Sequence, residues 1–173
     1  MLSFSRKSDS RFITHDMAEL LEKAIDLAAS DYNLKKKYDF RKIEIVREYD
    51  PDLPETPCEE SKLQQVFFNI LKNGAQAMTK NSENISPKFI LRTCLDRDMA
   101  RIEIEDNGPG MDKATCKRVF DPFFTTKKVG FGTGLGLSVS YFIITENHGG
   151  NLFVSSTQGK GAKFSIILPI TAV

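Results

Sequence analysis

A mixed β-sheet with helices packed on one face is the fold class that the sequence predicts. Two observations point to it. Helical patterns and hairpin-like pairs of strands alternate in blocks along the chain. No linker and no internal repeat divides the 173 residues, a length that fits one domain with an ordinary core.

The elements follow in order. The first residues, through Arg11, are polar and serine-rich and read as the tail of something cut away. From Asp16 to Ser30 apolar residues recur at helical spacing: Met17, Leu20, Leu21, Ala24, Ile25 and Ala28. Asp16 is placed to cap that helix, with Glu19 three residues on as in a capping box. "RKIEIVREYD" alternates Ile43 and Ile45 with charges and predicts a strand. "DPDLPETP", with its prolines, predicts a loop. The longest helical pattern runs from Glu59 to Thr79, with Leu63, Val66, Phe67, Ile70, Leu71, Ala77 and Met78 on its apolar face. After the polar loop "KNSENISP", "KFILRTCL" and "MARIEIED" are two strands joined by "DRD". A short helix is predicted from Lys113 to Val119 and another from Leu135 to about Asn147. "HGG" ends the latter, and "NLFVSS" and "AKFSIILPI" form a last strand pair around "TQGKG".

Composition excludes several classes. Apolar residues make up 40% and charged residues 27%, as in a soluble globular chain. A net charge of +1 gives no sign of nucleic-acid or membrane-surface binding. No apolar run approaches the roughly 18 residues of a membrane span. "MLSFSRKSDSR" lacks the apolar centre of a signal peptide. Three cysteines without a CxxC suggest neither a disulfide framework nor a zinc site, so a reducing, cytoplasmic setting is expected.

Four stretches carry chemistry. "GFGTGLGLS", Gly130 to Ser138, is glycine-rich and opens a helix. It matches neither GxxxxGK[ST] nor GxGxxG, yet its accessible backbone N–H groups and the positive end of a new helix suit a phosphate. A loop with no ligand is the plain alternative. In "IEIEDNGPGM" a strand ends at Asp106 and turns through Asn107, Gly108, Pro109 and Gly110. Asn-Gly is a hairpin signal, but a helical segment follows instead of a partner strand. A carboxylate there accepts hydrogen bonds, as from the exocyclic amine of a purine, and glycines let a flat ring approach. Asn69 and Asn73 lie four apart on one face of the long helix, beside an apolar stripe. They are either satisfied asparagines or a polar spot in a pocket, where an amide oxygen can ligate Mg²⁺. In "FDPFFTTKK", Phe120, Phe123 and Phe124 read as anchors of a mobile segment or as core, and Thr125, Thr126, Lys127 and Lys128 supply donors and charge.

The order of these stretches resembles the catalytic, ATP-binding domain of sensor histidine kinases, with its N, G1, F and G2 boxes, from about residue 16 to 170 and including the tail "HGGNLFVSSTQGKGAKFSIILP". That family is grouped with gyrase, heat-shock chaperone and mismatch-repair ATPases in the Bergerat fold. The resemblance implies a two-layer α/β sandwich, its sheet mostly antiparallel and three main helices on one face. It implies a remnant of a dimerisation helix and linker at 1–11 and a catalytic domain at 12–173. ATP and Mg²⁺ are the implied ligands. Asp106 would bind the adenine amino group, with Gly108 and Gly110 shaping the pocket. Asn73 would ligate Mg²⁺ and Asn69 would contact phosphate or metal-bound water. The loop from Phe120 to Gly134, with Phe120, Phe123, Phe124 and Thr125, would form a lid. Gly132, Thr133, Gly134, Leu135 and Gly136 would line the phosphates, and Lys127 would reach the γ-phosphate.

Three departures from the family stand out. Gly74 replaces the usual alanine, a helix-interior cost of about 1 kcal/mol that easier close packing can offset. Gln76 stands where some members carry a phosphate-binding basic residue, which shifts neutralisation to Mg²⁺ and the lid lysines. The helix in "SVSYFIITENHGG" is one residue longer than the commonest form, which a bulge or shifted end would absorb.

Relatives that hydrolyse ATP carry a glutamate base four residues before the metal asparagine. Here that position is Asn69, with Gln64 and Gln65 nearby, so the base is missing. Phosphoryl transfer to a protein histidine is then the implied reaction. Of the two histidines, His148 ends a helix and is expected to cap or pack. His15 is followed by an aspartate but lacks the Thr/Asn and Pro that complete the acceptor pattern. The acceptor is expected on a separate dimerisation domain of the same full-length, homodimeric kinase, with a response regulator downstream. The fragment alone is expected to be a monomer and the cytoplasmic part of a sensor. An ATP-hydrolysing chaperone-like module and a degenerate docking domain are the competing readings.

Overall fold

The computed structural model describes residues 12–31, 39–127, 132 and 134–171. The segment 1–11, Lys128, Gly130 and Thr133 lie outside the described residues.

The chain begins with β1 (Ile13–His15) and α1 (Met17–Ser30). Asp16 caps α1, accepting from the N–H groups of Ala18 at 2.8 Å and Glu19 at 3.4 Å. Every apolar position of the predicted stripe, from Met17 to Ala28, is buried. A short 3₁₀ turn, Phe40–Lys42, leads into β2 (Glu44–Tyr49). Next come β3 (Thr56–Cys58), α2 (Glu60–Met78), β4 (Lys88–Asp96) and β5 (Met99–Asp106). The short α3 (Lys113–Arg118) precedes the loop that leads to α4 (Gly136–Phe142). A π-helical turn, Ile143–Asn147, continues α4, and β6 (Asn151–Ser156) and β7 (Ala162–Pro169) close the fold.

Five strands form the main sheet in the order β2-β4-β5-β7-β6. Only the β2–β4 pair is parallel; the others are antiparallel. A parallel pair needs a crossover, and the segment between β2 and β4 supplies it with α2. Alternation sets the faces of β5 and of β4 as far as Cys94, beyond which Leu95 is exposed. Phe89, Leu91, Ala100, Ile102 and Ile104 point inward and are fully buried. Arg92, Arg101, Glu103 and Glu105 point outward, where Arg92 pairs with Glu48 at 2.6 Å and Lys163 with Glu103 at 3.5 Å. Helices α1, α2 and α4 contribute to the core on the inner side. The predicted sandwich, mixed and mostly antiparallel, is the observed architecture.

Two differences from the sequence reading have physical reasons. Thr56 and Pro57 are read as loop, but with Cys58 they pair with β1, with Thr14 opposite Pro57 and His15 opposite Thr56. Three-residue strands carry no periodicity, and proline is tolerated in so short a ribbon. The helix predicted from Leu135 to about Asn147 is α-helical over Gly136–Phe142 and widens to π geometry over Ile143–Asn147, so of the bulge and the shifted end that were expected the structure has a bulge. This turn absorbs one additional residue.

Candidate functional site

The site is built around α2. Its inner face, Leu63, Val66, Phe67, Ile70, Leu71, Gly74 and Met78, is buried against the core. Asn69, Asn73 and Gln76 are half-buried beside that stripe.

Asp106 ends β5. Alternation places it on the same inward side as Ile102 and Ile104, so a carboxylate continues an apolar row. It is 6% exposed. One oxygen accepts from the Gly108 N–H at 2.9 Å, and the Ala162 N–H also bonds the carboxylate. Burial outweighs these bonds and raises its pKa from the ordinary 3.8 to about 6. Gly74 faces it from α2: a Cβ there would lie 2.6 Å from the Phe89 ring and 3.3 Å from the Asp106 Cβ. The absent methyl thus gives Phe89 and Asp106 their places.

The turn after Asp106 is pinned on both sides. The Asn107 side chain accepts from the Lys88 N–H at 2.8 Å and donates to the Ser86 carbonyl at 2.8 Å. Gly110 has φ +70°, and a Cβ there would meet the Thr157 carbonyl at 2.2 Å. Gly108 approaches Ala77 and Met78 of α2, so the turn closes over the helix end.

Residues 120–127 and the start of α4 are tied to α2 from the other side, through Lys127 and Gly136. Phe120 packs on Tyr141 at 5.2 Å and Phe164 at 6.3 Å between ring centroids, and is an anchor. Phe124 is half-buried under the Arg118 guanidinium, 4.6 Å from the ring centre. Phe123 is not an anchor, contrary to the sequence reading. It is 74% exposed, and its φ of 63° turns the side chain outward. Its N–H donates to the Gly134 carbonyl at 2.9 Å, so its backbone closes the base of the loop. Gly134, at φ +68°, leaves no room for a Cβ against Phe123.

Thr125 accepts from the Lys127 N–H at 3.0 Å. The Lys127 ammonium reaches α2, donating to Asn73 Oδ1 at 3.1 Å and to Gln76 Oε1. Gly132 lies against the Lys127 stem, where a Cβ would be 2.8 Å from Cδ. Asn69 Nδ2 donates to the Gly136 carbonyl at 3.2 Å and to Ser140 Oγ at 3.3 Å. Ser140 is fully buried and donates to the same carbonyl at 2.8 Å. Leu135 is exposed at the start of α4, and its carbonyl accepts from Val139 N–H at 2.9 Å and Ser138 Oγ at 3.0 Å. The structure therefore gathers Asn69, Asn73, Lys127, Gly132 and Gly136 on one side of α2 and Asp106, Gly108 and Gly74 along its C-terminal half.

Two residues of this set lie outside the motifs. Ser140 carries no signal in the sequence beyond its helical phase, one turn from Gly136. Gln76 drew notice only as a missing charge. His148 packs as expected: it is buried, its Nδ1 donates to the Ile143 carbonyl at 2.8 Å, and Nε2 accepts from the Glu59 N–H at 3.1 Å. Among the described residues no three His, Cys, Asp or Glu side chains cluster for a metal, and no helix is long and apolar enough to cross a membrane.

A helix-on-sheet sandwich with a buried strand-end carboxylate, an asparagine-bearing helix and a glycine loop returning to that helix defines an ATP-binding module. The chain belongs to the histidine kinase-, DNA gyrase B-, and HSP90-like ATPase family, whose model matches residues 58–172. Within it the chain is similar to sensor kinases. Sporulation kinase E of Bacillus subtilis is 39% identical over 89% of the chain and 19% of that protein. The signal transduction histidine-protein kinase AtoS of Escherichia coli is 37% identical over 98% of the chain and 26% of that protein. The chain thus spans about a fifth to a quarter of the length of these relatives. Among solved structures, a nucleotide-free catalytic domain of histidine kinase ThkA superposes with a TM-score of 0.75 at 26% identity, covering 93% of this chain and 99% of that one.

Proposed function

We propose that residues 12–173 are the catalytic domain of a two-component sensor histidine kinase. It binds Mg-ATP and passes the γ-phosphoryl group to a histidine on a separate dimerisation domain of the same homodimeric protein. The acceptor then serves a response regulator. No nucleic acid takes part, and the domain works on the cytoplasmic side.

The observation that carries this reading is Asp106. A carboxylate buried at a strand end, satisfied on one side by the Gly108 and Ala162 N–H groups, has a use for a donor from the pocket side. The adenine amino group is that donor, and Gly108 and Gly110 keep the pocket wall flat. Asn73 fits a cation, because its Oδ1 already accepts from an ammonium. Mg²⁺, when bound, would neutralise phosphate charge while keeping several waters. With no cluster of carboxylates for a metal among the described residues, the ion would arrive with the nucleotide.

The Gly136 carbonyl can only accept, so it fixes the Asn69 amide with nitrogen toward α4 and oxygen toward a phosphate or a metal-bound water. An amide cannot deprotonate water, which leaves the phosphoryl group for a protein nucleophile. Lys127, with Thr125 and Gly132 beside it, supplies charge to the phosphates, and Gly132, Gly134, Leu135 and Gly136 supply backbone N–H groups; Thr133, expected in the same role, lies outside the described residues. Phe120 and Phe124 hold the loop's near end, and Phe123 stays at its base.

The test is incubation with labelled ATP, Mg²⁺ and a supplied histidine-bearing dimerisation domain. Acid-labile phosphate on that domain is the expected result. Steady ATP turnover by the chain alone, with no transfer, would favour a hydrolase and overturn the reading.

A further inference from the structure

We infer that Gln76 is a positioning residue that holds the Lys127 ammonium on the cation seat of Asn73. Nucleotide binding by this chain then depends less on a divalent cation than Asn73 alone would make it. The inference rests on the nucleotide-binding reading of the site.

The geometry is over-determined. Asn73 and Gln76 are three apart on α2 and face the same side. Their amide oxygens both accept from the Lys127 ammonium, Asn73 Oδ1 at 3.1 Å. The lysine's own N–H is held by Thr125 Oγ1 at 3.0 Å, and its stem rests against Gly132. Head, stem and backbone are thus each placed by a different partner. The two acceptors on α2, Asn73 Oδ1 and Gln76 Oε1, are neutral amide oxygens, so what the loop brings to this face of the helix is an ammonium.

Gln76 matters because of what it is not. A basic side chain there would repel Lys127 and supply its own charge. A leucine would leave the ammonium with one of the two acceptors described. Glutamine brings no charge but recruits one from the loop. The recruited cation bonds the same Asn73 oxygen that a metal would take. Two cations on one oxygen repel. A metal entering with nucleotide must therefore displace Lys127 from Asn73, against the hold of Gln76. Nucleotide arriving without metal meets a resident cation.

The experiment is an anisotropy titration of the 173-residue chain with a fluorescent ADP, once in EDTA and once in Mg²⁺. The readout is the ratio of the two Kd values. Gln76→Leu and Lys127→Met are each expected to widen that ratio about tenfold, mainly by weakening binding in EDTA, since a charge-assisted hydrogen bond is lost. Thermal melts of both variants establish that they are folded. An unchanged ratio in the folded variants overturns the inference while leaving the nucleotide site intact. So does equal weakening in both conditions by Gln76→Leu, which would place Gln76 directly on the nucleotide. A wild-type chain that binds no nucleotide in either condition overturns the reading of the site, and the inference with it.

Discussion

Asp106 is the residue whose environment and task are most in tension. Burial raises its pKa from 3.8 to about 6, so the folded chain holds that proton more tightly than the unfolded chain. Its contribution therefore favours folding at low pH and is lost as pH rises from about 4 through about 6. At neutral pH the buried charge costs on the order of 2–3 kcal/mol of stability. Asp106→Asn removes that cost, so its melting temperature at pH 7 should equal or exceed that of the wild type. Nucleotide affinity of the same variant should fall at least about thirtyfold. A melting temperature lowered by several degrees would show that the carboxylate is structural. On the proposed reading an adenine amine donates to this carboxylate, and the ionised form is the stronger acceptor, so wild-type affinity should also decline as pH falls through about 6. The two phenylalanines make a second residue-scale contrast. Phe120→Ala removes a ring packed on Tyr141 and Phe164 and should cost about 2–3 kcal/mol in denaturant unfolding. Phe123→Ala, at an exposed site, should stay within about 0.5 kcal/mol.

At the scale of elements, α2 is the frame on which both ends of the site are hung. Its glycine is the clearest case of local preference yielding to packing. In an exposed helix Gly74→Ala would stabilise by about 1 kcal/mol. Here the added methyl would lie 2.6 Å from the ring of the fully buried Phe89. Overpacking costs of about 1–3 kcal/mol outweigh the gain. Gly74→Ala should therefore lower stability by about 1 kcal/mol in a urea titration and weaken nucleotide binding as Asp106 is pushed aside. A stabilised variant with unchanged affinity would show that Phe89 has room to move. The π-helical turn after α4 plays a comparable part. It takes up one residue so that Ser140 stays in phase with Asn69, while His148 reaches the backbone of Glu59 at the start of α2.

For the whole molecule, the site couples parts that are far apart in sequence: α2, the β5 end and the loop before α4. A nucleotide touching all three binds the folded chain and not the unfolded one. At a free concentration of about 100 times Kd, linkage adds about 2.7 kcal/mol. For a domain of this size that corresponds to a rise in melting temperature of roughly 5–10 °C. Mg-ADP should produce that rise in the wild type and little of it in Asp106→Asn. Equal shifts in both would place the nucleotide elsewhere on the fold.

Much of this architecture is written in local pattern. The stripe of α1 and the alternation of β4 and β5 are periodic, and burial follows them everywhere but at Leu95 near the end of β4. The four motifs are legible because turn and helix-phase chemistry is local: Asp106 at a strand end, Asn69 and Asn73 one helical turn apart. What stayed hidden depends on partners distant along the chain. The ribbon of β1 and β3 exists only through their pairing. Phe123 reads like Phe120 and Phe124, yet its backbone bond to Gly134 turns it to solvent. Gln76 reads as a missing charge until the fold brings Lys127 to it across 51 residues. Periodicity dictates which face a residue shows; three-dimensional closure alone decides which side chains from remote segments meet there.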